Sequence, residues 1–322
     1  MKVVSELHYI SLFCTFVPLW ILDRMVNHVL MTVVVGVLAL LGGAAADWQC
    51  MGNHTAMKSW HREMDYAIDR EELVKLAHTM DFDNWPSKRN WLSDSLSFCD
   101  WECICCEFDG THNRLTEIHL ERNNLKGSFS ESFTRAMTRI KVLNFHLNAI
   151  TGFPPQMETY LSLEQVKFGR NPICGKLPLK YQSLTKLVKF NCNFCCLSGP
   201  FPDLFGNMTS LEETYWDGNN FTGSIPPSVG ALKSLTKISF NLNSFTGTVP
   251  ESLCHLPSLD DCRIGSDTKF KPYDDSPGHP ERKWLLKWNG NKYSCPVSSC
   301  ILNGVCNSKT AGPVPSPVKC NN

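Results

Sequence analysis

Between Leu115 and Asp267, apolar and polar residues recur in one frame. Each turn of the frame reads apolar-x-x-apolar-x-apolar-x-x-polar. It begins with Leu115, Ile118, Leu120, Asn123, then Ile140, Leu143, Phe145, Asn148, then Leu163, Val166, Phe168, Asn171. It continues through Leu187, Phe190, Cys192, Cys195 and Leu211, Thr214, Trp216, Asn219. Leu235, Ile238, Phe240, Asn243 and Leu259, Cys262, Ile264, Asp267 complete it. The closing residues are 25, 23, 24, 24, 24 and 24 positions apart, a spacing that marks an internal structural repeat.

Apolar-x-apolar alternation predicts a short strand with one buried face. A single such strand cannot bury that face alone, so seven coils are expected to stack and share a continuous core. The asparagine stands where the chain leaves the strand, and its amide can satisfy backbone groups of adjacent coils that would otherwise be buried unpaired. Cysteine, small and tolerant of burial, replaces it at Cys195, and Asp267 closes the series. A second element follows four of the closing residues, Gly175-Lys-Leu-Pro178, Gly199-Pro-Phe-Pro202, Gly223-Ser-Ile-Pro226 and Gly247-Thr-Val-Pro250, while Gly152-Phe-Pro154 is close to it and Gly127-Ser-Phe-Ser130 lacks the proline. Glycine permits a turn there, and proline removes a donor from an edge with no strand to pair.

These motifs resemble the plant-type leucine-rich repeat of receptor-kinase ectodomains and polygalacturonase-inhibiting proteins. The resemblance implies an α/β solenoid of about seven coils with parallel strands on the concave face. It extends upstream over Asp69-Arg-Glu-Glu-Leu-Val-Lys-Leu76, Asp83-Asn-Trp85, Asn90-Trp91-Leu92 and Cys99-Asp-Trp101, and so covers about residues 65 to 267. In that family a helix and a disulfide cover the first coil, and the Cys99/Cys106 frame matches the bridge. Cys103 stands where glycine is usual and Cys105 is extra. The helix also follows from the residues themselves, since Leu73, Leu76 and Ala77 keep i, i+3, i+4 spacing after an acidic turn.

The expected organisation is a signal peptide over 1–46, an N-terminal cap over 47–114, repeats over 115–267 and a cysteine-rich C-terminal cap over 268–322. The run Val29–Ala46 ends in small residues that suit a cleaved signal; an uncleaved membrane anchor is the alternative. Translation from Met25 would leave a signal of ordinary length. Trp284-Leu-Leu-Lys-Trp288 is apolar enough to lid the last coil. Cys295, Cys300, Cys306 and Cys320 could form two bridges in any of three connectivities.

Sixteen cysteines point to an oxidising compartment. Sequons at Asn53, Asn207 and Asn220 agree with it as glycosylation sites on a secreted protein. Removing the signal takes Cys14 and leaves an odd number of cysteines. Cys192 and Cys195 are expected to be free thiols, and a tail cysteine linking two chains in a disulfide-bonded dimer is the alternative. Lys+Arg and Asp+Glu balance at 31 each, so no field gathers nucleic acid.

Three columns of strand residues are expected to face the concave surface. The central one is His119, Asn144, Lys167, Asn191, Tyr215, Ser239, Arg263; the next is Glu121, His146, Gly169, Asn193, Asp217, Asn241, Gly265. The third is Arg122, Leu147, Arg170, Phe194, Gly218, Leu242, Ser266. Lys167, Arg170, Phe194, Tyr215 and Asp217 are the expected ligand-binding residues, with Phe194 and Tyr215 as exposed aromatic anchors beside basic groups. No cofactor is expected. Paired acids such as Glu212-Glu213 do not converge on one bond, and no nucleophile or phosphate-loop motif occurs. His119 and His146 lack a third metal ligand in the sequence pattern. The expected role is therefore extracellular recognition of a protein, peptide or glycan. A structural cell-wall or surface-coat glycoprotein associating through its cysteine-rich ends is the alternative.

Overall fold

A computed structural model describes residues 61–265, 291–294 and 320–321. The signal or anchor over 1–46, the sequon at Asn53, the Trp284–Trp288 lid and Cys295, Cys300 and Cys306 lie outside the described residues. Among the described residues no helix is long and apolar enough to cross a membrane.

The core is a single eight-stranded sheet. β1 (Ile104–Phe108) and β2 (Asn113–His119) form an antiparallel hairpin at one edge. Six three-residue strands then follow in chain order and in parallel: β3 (Val142–Asn144), β4 (Gln165–Lys167), β5 (Lys189–Asn191), β6 (Glu213–Tyr215), β7 (Lys237–Ser239) and β8 (Asp261–Arg263). The register keeps repeat positions level, pairing Ile118, Leu143, Val166, Phe190, Thr214, Ile238 and Cys262 across successive strands. This is the leucine-rich-repeat solenoid that the period predicts. Behind the sheet the rings stack from coil to coil, with Phe145 and Phe168 centroids 5.3 Å apart and Phe190 and Trp216 4.6 Å apart.

The asparagine ladder does what its chemistry requires. Asn219 Nδ2 donates to Cys192 O (2.8 Å) and Trp216 O (2.9 Å), while its Oδ1 accepts from Leu197 N (3.1 Å). Asn148, Asn171 and Asn243 make corresponding bonds. At the fourth coil Cys195 Sγ reaches only Phe168 O at 3.5 Å and Asn193 O at 3.8 Å. Cys192 and Cys195 are both free, buried thiols, as their positions in the repeat imply.

The seventh coil departs from expectation. Asp267 lies outside the described residues, and its ladder place is taken by Asn291. Asn291 Nδ2 donates to Ile264 O (2.9 Å) and Phe240 O (3.0 Å), and its Oδ1 accepts from Phe245 N (3.0 Å). Those are the three partners that a ladder residue at 267 would have by analogy with Asn243. Asn291-Lys-Tyr293 also repeats the Asn219-Asn-Phe221 and Asn243-Ser-Phe245 step, with Tyr293 buried. The segment between β8 and Asn291 is therefore an insertion within the coil.

The second element of each coil forms short parallel strands, Cys174–Gly175, Cys196–Pro200 and Asn220–Thr222 in one group and Lys126–Gly127 with Ala149–Ile150 in another. Gly199, Gly223 and Gly247 take φ of +84°, +74° and +72°, a backbone that a side chain would strain. Single 3-10 turns such as Pro227–Ala231 and Glu251–His255 carry the chain back. A disulfide joins Cys174 to Cys196 across two coils. Sequence spacing does not signal it, because the two residues stand at different offsets from their ladder positions.

The cap is built as the resemblance implies. Helix α1 (Ala67–Thr79) buries Leu73, Leu76 and Ala77, and Cys99 is bridged to Cys106. Asp69, at the start of α1, accepts from Leu115 N (2.9 Å) and Arg114 Nε (3.2 Å), which fixes the helix to β2. Trp91 packs against Trp85 and Trp101, each at 5.1 Å between centroids.

Candidate functional site on the concave face

Strand alternation brings the central column and its neighbour to the concave surface, but not equally. His119, Asn144 and Ser239 are buried, Lys167, Asn191 and Tyr215 are half-buried, and Arg263 is exposed. The accessible part of the face thus lies over β4, β5 and β6.

The third column is a correction. Arg122, Leu147, Arg170, Phe194 and Leu242 all have φ between +50° and +61°, because the chain turns out of its strand at this position. The turn takes Phe194 off the surface, leaving it 2% exposed, and Leu242 0% exposed. Phe194 lies across Gly218 of the next coil, where an added Cβ would sit 2.5 Å from the ring. The Arg170 guanidinium stacks 5.0 Å from the ring centroid. Phe194 is therefore a packing residue rather than an exposed anchor, and Arg170 is committed to its ring.

A further charged column, two residues before the central one, was not among those expected to matter: Glu117, Val142, Gln165, Lys189, Glu213, Lys237 and Asp261. The same alternation that finds the central column would have found it. Here Glu213 bridges Lys189 and Lys237 (3.0 Å to the latter) and accepts from the Tyr215 hydroxyl at 3.1 Å. Burial opposes the Glu213 charge, but the bonds from the two lysines outweigh it and hold the carboxyl at about 2. Burial, then Glu213, pushes the Tyr215 phenol up, so Tyr215 remains a donor and apolar surface. Arg263 forks onto Asp261 at 3.0 and 2.7 Å.

Lys167 is different. It stands half-buried at the middle of the face, and its ammonium makes no side-chain hydrogen bond or direct ion pair among the described residues, although Glu121, Glu213 and Glu117 attract it from further off. Burial, with repulsion from Lys189, lowers its pKa. Beside it, Gly169 lets three neighbours converge: an added Cβ would lie 2.0 Å from Asn193 Oδ1, 2.6 Å from Asn191 Oδ1 and 2.9 Å from His146 Nδ1. Asn193 Oδ1 and His146 Nδ1 are buried without a hydrogen-bond partner. Burial drives the His146 pKa down to about 4, so the imidazole is neutral at physiological pH. Burial raises Asp217 to about 6 against a hydrogen bond from Ser239.

Of the five expected residues, then, Lys167, Tyr215 and Asp217 share the concave face, while Arg170 and Phe194 pack at its border. A lone ammonium beside unsatisfied acceptors offers a donor for an anionic group and acceptors for amide or hydroxyl donors.

The Leucine Rich Repeat family model matches residues 234–256, the sixth coil and its return. No curated protein matches the sequence. The crystal structure of PEPR1–AtPEP1 is similar with a TM-score of 0.55 and 23% identity, over 71% of this chain and 29% of that one. The Arabidopsis receptor kinase HAESA, in complex with the peptide hormone IDA and the co-receptor SERK1, gives 0.53 and 21%, over 61% and 37%. A plant ice-binding protein gives 0.54 and 22%, over 72% and 73%. The chain spans less than two fifths of the length of either receptor chain. Seven stacked coils, a bridged helical cap and these neighbours give the chain the leucine-rich-repeat solenoid fold that plant receptor-kinase ectodomains also have.

Proposed function

We propose that the protein is an extracellular recognition module that binds an extended acidic peptide across β4 to β6. The observation that carries this reading is Lys167, a half-buried cation without a direct ion-pair partner among the described residues, at the centre of the accessible face. A peptide carboxylate would supply the direct ion-pair partner that the more distant Glu121, Glu213 and Glu117 do not, and backbone amides would donate to Asn193 Oδ1 and His146 Nδ1. Tyr215 supplies an amphipathic ring beside them. Two of the similar receptor structures are complexes, one of them with a peptide hormone, which supports a peptide as the ligand class.

The role is binding, without catalysis. On this face Glu213 and Asp261 are each neutralised by their own cations. The cysteine content and the exposed sequons at Asn207 and Asn220 support passage through the secretory route and glycosylation there.

Selection from a displayed library of random peptides rich in Asp and Glu tests the proposal. The wild-type chain should enrich acidic sequences, and Lys167→Met should lose them while retaining its thermal transition. Equal enrichment by both proteins would refute the assignment.

A further inference from the structure

We propose that Cys105, Glu117 and His119 form a zinc-binding site at the cap end of the concave sheet. The site is a product of strand register. In the β1–β2 hairpin Cys105 is paired with Glu117, and a bulge follows between Cys105 and Cys106. Glu117 and His119 are two residues apart on β2, so the pleat puts both side chains on one face. One ligand atom from each of the three residues falls within 4.8 Å of the others. Tetrahedral zinc with Zn–S near 2.3 Å and Zn–N or Zn–O near 2.1 Å needs ligand atoms roughly 3.3–3.8 Å apart, within reach of small side-chain adjustments.

The donor set also fits by charge and softness. A thiolate and a carboxylate neutralise the dication, and a neutral imidazole completes a sulfur–oxygen–nitrogen set that zinc accepts. Cys105 is a free thiol, 5% exposed, while the neighbouring Cys106 is consumed by its bridge to Cys99. His119 is 7% exposed; its Nε2 lies 2.7 Å from Glu117 Oε2, and its Nδ1 is buried with no hydrogen-bond partner. An imidazole nitrogen with no partner at that depth is a costly arrangement for a purely structural histidine. On loading, the Cys105 S–H bond breaks, the sulfur binds the ion and the proton leaves to solvent, so affinity rises with pH. Three protein ligands leave a fourth position for water or an external donor. The sequence pattern places no third ligand near His119, because Cys105 precedes it by fourteen residues and only the antiparallel hairpin closes that distance.

Cobalt(II) titration of the purified, metal-free full-length chain is the test, followed by zinc competition. The expected result is one cobalt per chain with visible d–d bands and a near-ultraviolet thiolate charge-transfer band, both bleached by zinc. Cys105→Ser should abolish the charge-transfer band, and His119→Gln, which keeps the thiol, should weaken cobalt binding at least tenfold. Zinc should raise the melting temperature of the wild type and leave that of His119→Gln unmoved. Absence of the bands in the wild type would overturn the site. So would a charge-transfer band that survives in Cys105→Ser, since the metal would then sit on another thiol.

Discussion

Replacing Asn291 by Ala removes one amide and orphans the backbone it serves. Phe240 O keeps a second donor in Asn243 Nδ2 at 3.1 Å, so its loss is partial. Phe245 N and Ile264 O have no other partner among the described residues, and both Phe245 and Ile264 are buried. An unsatisfied buried group costs about 1–3 kcal/mol, so two cost about 2–6 kcal/mol. In a solenoid each coil contacts only its neighbours, so the penalty should appear as local opening of the last coils rather than uniform loss. Hydrogen exchange reads this directly. A mid-range loss of about 4 kcal/mol lowers protection of the Phe245 amide roughly a thousandfold, at tenfold per 1.4 kcal/mol. The Leu125 amide, bonded to Asn148 Oδ1 at 3.0 Å in the second coil's ladder, should stay protected. Lys292→Ala is the control: its side chain is exposed, and its backbone amide still donates to Phe245 O at 2.7 Å. If Asn291→Ala and Lys292→Ala exchange alike, Asn291 is not a ladder residue and the insertion reading is wrong.

Phe194→Ala should destabilise by about 3–5 kcal/mol in urea, because it empties a packed site between Arg170 and Gly218, and should leave peptide affinity unchanged in the folded fraction. A loss of affinity without a loss of stability would return Phe194 to the binding surface. His146 and Asp217 should oppose one another in the pH dependence of stability. Asp217, raised from 3.8 to about 6, holds a proton in the native state that the unfolded chain has lost, so its contribution falls as pH rises through that window. His146, lowered from 6.5 to about 4, lacks a proton that the unfolded chain carries, so its contribution falls as pH drops through nearly the same window. Asp217→Asn should therefore expose a stability that rises with pH by about 1 kcal/mol per unit between 4 and 6, and His146→Gln the reverse slope. Identical slopes in the two variants would show that neither group is shifted as described.

Much of this fold can be read from the chain because its forces are periodic. One buried stripe per 24 residues, closed by an amide that backbone groups demand, specifies coil number and strand register. The helix of the cap shows itself through Leu73, Leu76 and Ala77 for the same reason. What escapes is non-periodic. The third column turns into left-handed backbone, so Phe194 looks like a surface position by count and is a core position by φ. Asn291 escapes because the insertion breaks the count, although Asn291-Lys-Tyr293 repeats the local step. Cys174–Cys196 and the Cys105–Glu117–His119 cluster depend on cross-strand register, which spacing along one strand does not carry. Of the candidate site, the central column was legible and so was Lys167. The pairing of Glu213 with Lys189 and Lys237 that leaves Lys167 without a direct ion-pair partner was visible only once adjacent coils were in register.

Lysine acetylation footprinting with an enriched acidic peptide tests the central claim most directly. Its lowered pKa makes Lys167 reactive in the free protein, and the bound peptide should slow its modification at least tenfold while exposed Lys233, on the return of the fifth coil, is unaffected. Equal modification of Lys167 with and without saturating peptide, or protection of Lys233 in its place, would contradict binding on the concave face.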